Sequence, residues 1–383
     1  MKLGAAGNRR LLKATLGFTA MAAIASLTGC AGASIPGLPA ASPTPEPVYV
    51  TAPLTGAQYL EGSPEALALA TPSVACKIDN SFAARPQQNL NLTDVVFDEM
   101  VEGGLTRLVA IWHSQLAATD TGTPATTGVG PVRSIRPMDP DIISPFGGIV
   151  CYSGGQLKFV NMMRDTVVFN ASETTEQGNG TFRRSKDRVA PHNVIVNVKL
   201  LSANHADPAG KDYREPPQQM FDFATSLEGS TAAAAGNPVA RIKVAFPSAL
   251  AEWVPSADGK QWLRIQDGAK HLDSATKEQL HATNVIVMDV KEDRSYGDPK
   301  YGHIPKAVLI GKGRAWVFTA GKYIDAFWSK ADRNAKILFT DAAGKAINLA
   351  PGNTWIELKP ADPEGKLTIV AGAAASPSPS ATK

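Results

Sequence analysis

Cysteine is scarce in this chain. There are three in 383 residues, Cys30, Cys76 and Cys151. That excludes a small scaffold held by many disulfides, and no cluster has the spacing of zinc ligands. The six histidines include no His-Glu-x-x-His pair, and no Gly-x-Ser-x-Gly elbow is present. The chain therefore lacks the usual signatures of zinc hydrolases and serine hydrolases, and it implies no metal or cofactor. Past the first thirty residues no apolar run is long enough to cross a bilayer, and no internal repeat is visible. Net charge is small as well. The formal value is +3, but Lys2, Arg9, Arg10 and Lys13 precede residue 30 with no acidic residue among them, so the remainder carries −1. Such a balance gives no electrostatic case for nucleic acid or for an overall polybasic membrane surface.

What is present begins at the N-terminus. The basic start is followed by an apolar stretch, Leu11 to Leu27, broken by Lys13, and then by Leu27-Thr28-Gly29-Cys30. A basic n-region and a short apolar h-region form an export signal. A small residue and then Cys at the cut resembles a bacterial lipobox. Residues 1–29 are then a signal peptide and Cys30 is lipidated, tethering the protein to the outer face of the cell membrane. Residues 30–52, with Ser-Pro-Thr-Pro-Glu-Pro at their core, bury little apolar surface and read as a disordered tether. The tail 373–383 has a similar composition.

The chain after Cys30 has room for two domains. Residues 53–222 alternate strand and helix signals, which predicts an α/β domain with a mixed, partly parallel sheet. Strands are expected at Val74–Ile78, Arg107–Trp112, Gly148–Tyr152 and Val167–Phe169. A helix is expected where Leu92, Val95, Val96 and Met100 recur, and another at Gln156–Asp165. Residues 223–238, rich in Ala, Gly and Ser, read as a linker and protease-sensitive hinge. Residues 239–372 hold short apolar runs parted by Gly, Asp and Asn turns, which predicts a separate β-rich domain. Five tryptophans fall there, Trp253, Trp262, Trp316, Trp328 and Trp355, and are expected in the core. Cys76 and Cys151 each sit in a buried strand. A disulfide is possible outside the cell, although two free thiols acting as small apolar residues is the favoured expectation.

Four polar segments interrupt the first half: IDNSFAARPQ (78–87), EGGLTRLVAIWHSQ (102–115), GVGPVRSIRPM (128–138) and RRSKDRVAPHN (183–193). Together with NVIV (284–287) and PGNTWI (351–356), these motifs resemble the YerB-type bacterial lipoprotein family. That family has N-terminal and C-terminal domains and no established reaction. The resemblance implies the fold and the location and lends no catalytic role. Lys77 departs from it where an apolar residue is usual, and Tyr152-Ser153 departs where His-Ala is common.

The site residues therefore rest on physical argument. Ligands of open α/β sheets sit beyond the carboxyl ends of the strands. Asp79, Asn80, His113, Ser114, Ser153 and Gly154 all follow predicted strands, and they share one edge if those strands run parallel. Arg133, Ser134 and Arg136 lie in a Gly- and Pro-bounded loop, and Arg forks recognise carboxylate or phosphate. Arg85, Arg107, Arg188, His192 and Asn193 belong to the neighbouring motifs. Arg133 and Arg136 are expected to face, with Arg85 and His192, one polar pocket near Asp79 and Asn80. Two functions compete. One is capture of an anionic envelope ligand or a protein partner in this cleft. The other is hydrolysis or group transfer on an envelope substrate by Asp79, Glu102 and His192. A purely structural role, in which the arginines serve internal ion pairs, is the third.

Overall fold

The computed structural model describes residues 46–297, 299 and 302–373. The signal segment, Cys30, most of the tether and the tail from 374 lie outside the described residues. The described residues from Pro47 onward cluster as one compact unit. The last part of the expected tether is in fact folded. Strand β1 (Tyr49–Thr51) pairs antiparallel with β2 (Gln58–Leu60), and Ala52 is buried.

After the short helix α1 (Pro64–Ala68) the first half contributes β3 (Val74–Asp79), β4 (Val95–Met100), β5 (Thr106–Trp112), α2 (Asp139–Ile143), β6 (Ile149–Cys151), α3 (Leu157–Arg164) and β7 (Phe169–Ala171). A separate hairpin, β8 (Phe182–Arg184) with β9 (Val194–Val196), and α4 (Val198–Ala203) follow. The second half opens with α5 (Thr231–Ala235) and is otherwise built of strands. They are β10 (Asn237–Phe246), β11 (Ala249–Pro255), β12 (Trp262–Gln266), β13 (Ala269–Lys270), β14 (His281–Ala282) and β15 (Asn284–Asp293). Then come β16 (Lys306–Val308), β17 (Gly311–Thr319), β18 (Lys322–Lys330), β19 (Leu338–Thr340), β20 (Thr354–Pro360) and β21 (Lys366–Ala371). The predicted classes hold: a mixed sheet with helices comes first and a β-rich half follows.

One long sheet runs through both halves in the order β19–β18–β17–β15–β20–β4–β5–β3–β6–β7. The junction is the parallel pair β20–β4, with Thr354 opposite Val95 and Glu357 opposite Asp98. One face of the sheet packs on α2, α3 and the Phe146 turn, through Val95, Phe97, Ile111, Phe159 and Ile356. The other face is covered by a second sheet, β21–β10–β11–β12, with β9 and α4. There Val96, Leu108, Trp112, Trp253, Trp262 and Trp355 meet. All five second-half tryptophans are buried, as expected.

Four expectations are corrected. The 92–100 helix is strand β4. All six residues of Val95–Met100 are buried, because alternate residues enter the two cores. A strand buried on both faces has no polar face, so helical spacing among its apolar residues carries no information. Cys76 and Cys151 are joined as a disulfide, since parallel pairing of β3 and β6 sets them directly opposite with Cα atoms 4.5 Å apart. The 223–238 stretch is not a loose linker. Ala224 N–H donates to Leu349 O, Thr231 N–H to Asn348 O, and Ser230 and Ala232, the N-cap and a residue of α5, are buried. Finally, the two halves share a sheet and both cores, so they are not separately packed bodies.

Candidate ligand-binding site

The site lies beyond the carboxyl end of β3. Strand β6 runs parallel to β3, so Ser153 and Gly154 emerge at the same edge as Asp79. Strand β5 runs antiparallel, and this removes His113 and Ser114 to the opposite edge. There the buried His113 ring contacts the carbonyls of Leu69 and Thr71. Burial depresses its pKa to about 4. Ser114 donates to Asp94, whose carboxyl burial raises to about 6. Strand polarity, which no local motif encodes, decides this exclusion.

Asp79 is the hub. Its Oδ2 lies 2.7 Å from His192 Nδ1 and 2.9 Å from Arg133 Nε, and the Ser81 amide donates to Oδ1 at 2.9 Å. The Arg133 contact is an ion pair without hydrogen-bond alignment, so Nε is left without a directed acceptor. Burial works against the Asp79 charge, but the Ser81 and His192 hydrogen bonds and the nearby Arg107 outweigh it and hold the carboxyl below its ordinary value. An ionised Asp79 fixes the proton of His192 on Nδ1, and Nε2 has no hydrogen-bond partner among the described residues.

Two cavities flank this hub. The first, 400 Å³, is walled by Glu102, Arg133, Ser134, Arg136, Gly155 and Gln156. Arg136 Nε and Nη2 both lie 2.9 Å from Glu102 Oε2. Arg107 is buried behind Ser134, donates through Nη1 to its carbonyl at 3.1 Å, and has a buried Nε with no partner. Burial, and then Arg136, lower its pKa to about 10, so it stays charged at neutral pH. Gly155 has φ +155°, and a Cβ there would meet Ile135 Cγ2 at 2.8 Å. The glycine turn thus brings the start of α3 against the Arg133–Arg136 loop, and no side chain caps that helix.

The second cavity, 550 Å³, is lined by Arg85, Gln88, Asp187, Arg188, His192 and Lys277 among others. Arg188 donates to the carbonyls of Ala84, at 2.9 Å, and Pro86, and meets no carboxylate among the described residues. Arg85 pairs with Asp267 at 2.7 Å. The expected single pocket is therefore two, with Arg133 and Arg136 in one, Arg85 and His192 in the other, and Asp79 bonded to both sides.

These geometries sit within a recognisable chain. Residues 54–211 match the family model described as protein of unknown function (DUF3048), N-terminal domain, and residues 242–356 match its C-terminal domain. The chain belongs to the DUF3048 family. It is 24% identical over 291 residues to "Putative lipoprotein YerB" of Bacillus subtilis (strain 168), covering 75% of this chain and 81% of that one. The crystal structure of YerB from Bacillus subtilis has the same fold, with TM-score 0.67 and 22% identity over 83% of this chain and 99% of that chain.

In this DUF3048 protein the remaining candidates take structural parts. Asn80 turns inward, where its amide donates to Thr106 at 2.8 Å and its Oδ1 accepts from Gln87 at 3.1 Å. Ser153 donates to Glu173, and Asn193 accepts from Arg184. Gly154 accepts the Ile135 amide. Ser134 donates to the Ser153 carbonyl and stays in the wall of the first cavity. Glu102 and His192 line different cavities, which separates two of the three groups weighed for catalysis.

Sequence reasoning missed two buried ion clusters. Lys77 is fully buried between Glu99 and Asp139, 2.7 Å from the latter. This accounts for the unusual lysine in β3. Arg264 lies between Trp253 and Trp355 and binds Glu357 and Asp98 at 2.5 Å each. It also donates to Gln266 at 2.8 Å and His271 at 3.2 Å, and His271 continues through Gln87 to the Asp79 carbonyl. The available signal was charge inside apolar strand runs, at Lys77, Asp98, Glu99, Arg264 and Glu357, because a charge so placed needs a partner.

Proposed function

We propose that this protein is a membrane-tethered, extracytoplasmic lipoprotein that captures an anionic envelope ligand in the Arg133–Arg136 cavity. The observation that carries this is the charge at the cavity. Arg133 and Arg136 line it, paired with Asp79 and Glu102, and the third guanidinium, Arg107, is buried behind the wall residue Ser134 with no partner for its Nε among the described residues. A carboxylate or phosphate entering there would find guanidinium donors and the open start of α3. Titration calorimetry with inorganic phosphate and glycerol 3-phosphate tests the reading. Arg133 is three-quarters buried and paired with the buried Asp79, but His192 and the Ser81 amide still hold that carboxylate, so Arg133→Ala should cost about 1–3 kcal/mol of stability and leave the protein folded. Binding should fall at least tenfold. Undiminished binding in Arg133→Ala and Arg136→Ala would reject the cavity as the site. The tether has its own test. Cys30→Ala should move the protein from the membrane fraction to the soluble fraction.

The paired Asp79 and His192 favour a second reading, acid–base chemistry, because the imidazole is oriented and Nε2 is left unpaired. Among the described residues no nucleophile is placed at Nε2, and Glu102 lies at the other cavity. Binding is therefore the stronger conclusion.

A further inference from the structure

The most exposed large apolar side chains among the described residues are Phe82, 87% exposed, and Val189, 82% exposed. They sit on two different loops, 80–86 and 185–192, that Arg188 ties together through the carbonyls of Ala84 and Pro86. Between and beside them lie two cavities that share Arg85 and Pro86. One is the 550 Å³ cavity of Arg85, Arg188, His192 and Lys277. The other, 230 Å³, is walled by Phe82, Pro86, Ala269, Lys270 and Leu272. Neither tip belongs to a hydrophobic core, and the Phe82 ring lies 5.9 Å from the Arg85 guanidinium.

We propose that this face docks on an anionic phospholipid surface, with Phe82 and Val189 entering the headgroup boundary and the cavity cations meeting lipid phosphate. The warrant is the combination. Exposed apolar tips alone would fit many partners, and surface cations alone would fit any polyanion. Here Arg85, Arg188, Lys270 and Lys277 stand against two carboxylates, Asp187 and Asp267. Arg188 has no carboxylate partner among the described residues, and burial lowers its pKa. Apolar tips ringed by cations match an interface that is apolar below and anionic above. The near-neutral charge of the whole chain conceals this local excess. A lipid on Cys30 would confine the protein near such a surface.

The experiment uses residues 47–383, the compact unit, without signal or lipid. Flotation with phosphatidylcholine vesicles is compared with vesicles containing one quarter phosphatidylglycerol. Binding is expected only to the anionic vesicles and should weaken in 0.5 M salt. Lys277→Gln should weaken it roughly fivefold. Phe82→Asp with Val189→Asp should abolish it while leaving the unfolding midpoint unchanged, since both side chains are exposed. Arg133→Ala should bind vesicles as the parent does, which separates this face from the ligand cavity. Glycerol 3-phosphate is the soluble arm. If it binds at this face and prevents flotation at low millimolar concentration, the face is a soluble-phosphate site and the membrane proposal fails. Equal binding to both vesicle types, no binding to either, or retention by the double variant would also overturn it.

Discussion

Replacing Arg264 by Met tests the physical account of the junction between the halves most directly. The guanidinium is fully buried and makes four side-chain hydrogen bonds, to Glu357, Asp98, Gln266 and His271. Met fills similar space between Trp253 and Trp355 but leaves Asp98 and Glu357 buried without a cation. Removing one partner of such a cluster costs about 3–5 kcal/mol. The loss should depend on pH, and its sign follows from the carboxyls. Burial and the neighbouring Glu357 already push Asp98 up to about 7 in the native protein. Without Arg264 the folded state holds its proton more firmly than the unfolded chain does. Stability of the variant therefore falls as pH rises, by about 1.4 kcal/mol per unit for each proton retained. Urea unfolding at pH 6, 7 and 8 reads this out. The deficit relative to the parent should grow across the series, and Asp98→Asn with Glu357→Gln in the Met background should recover most of it. A deficit below about 1 kcal/mol, or one that is flat with pH, would refute the reasoning.

Three further outcomes are expected. Replacing Cys76 and Cys151 by Ala should cost about 2–4 kcal/mol, because the bridge closes a loop across 75 positions; with both sulfurs buried, a reductant should act on the native protein only as fast as it opens. Limited proteolysis should spare 226–238 and leave no separate halves, since α5 and the Ala224 and Thr231 amides bind that stretch to the second half; two stable fragments cut there would contradict the shared sheet. The His113 ring titrates near 4 in the folded protein and near its ordinary value when unfolded, so the unfolded state binds the extra proton between those values. This group then adds up to about 3 kcal/mol of stability as pH rises from 4 to 6.5, and His113→Gln should flatten that slope in acid unfolding curves.

Local pattern and strand identity were legible together where a turn bounded the run. Val74–Asp79, Thr106–Trp112 and the helix Leu157–Arg164 were each readable in this way. Strand β4 was not, because its charges Asp98 and Glu99 enter two separate cores and leave no polar face. Strands β11 and β21 are weakly marked as well, the first carrying Glu252 and Pro255 and the second having no buried residue. In the site, the meeting of Asp79, Arg133 and His192 was foreseeable from motifs that interrupt apolar elements. The loss of Asn80 and His113 was not, since one turns on side-chain direction and the other on the polarity of β5. The disulfide required the β3–β6 register, which is a non-local quantity.

The pairing of β4 with β20 has a consequence for how the chain matures. Strand β4 is made early and has two edges. Strand β5 follows within a few residues and closes one. The other edge waits for Thr354–Pro360, more than 250 positions later, and until then it presents bare amides and carbonyls with apolar side chains above and below. Open edges of that kind recruit foreign strands. Any process that delivers the chain from its N-terminus onward, whether synthesis or passage through a membrane, therefore holds the first half unfinished until almost the last segment arrives. A truncation before Thr354 would remove the closing strand along with Glu357, leaving Asp98 and Arg264 without their third member. Nascent chains of this protein thus have a long interval in which the β4 edge lacks its native partner.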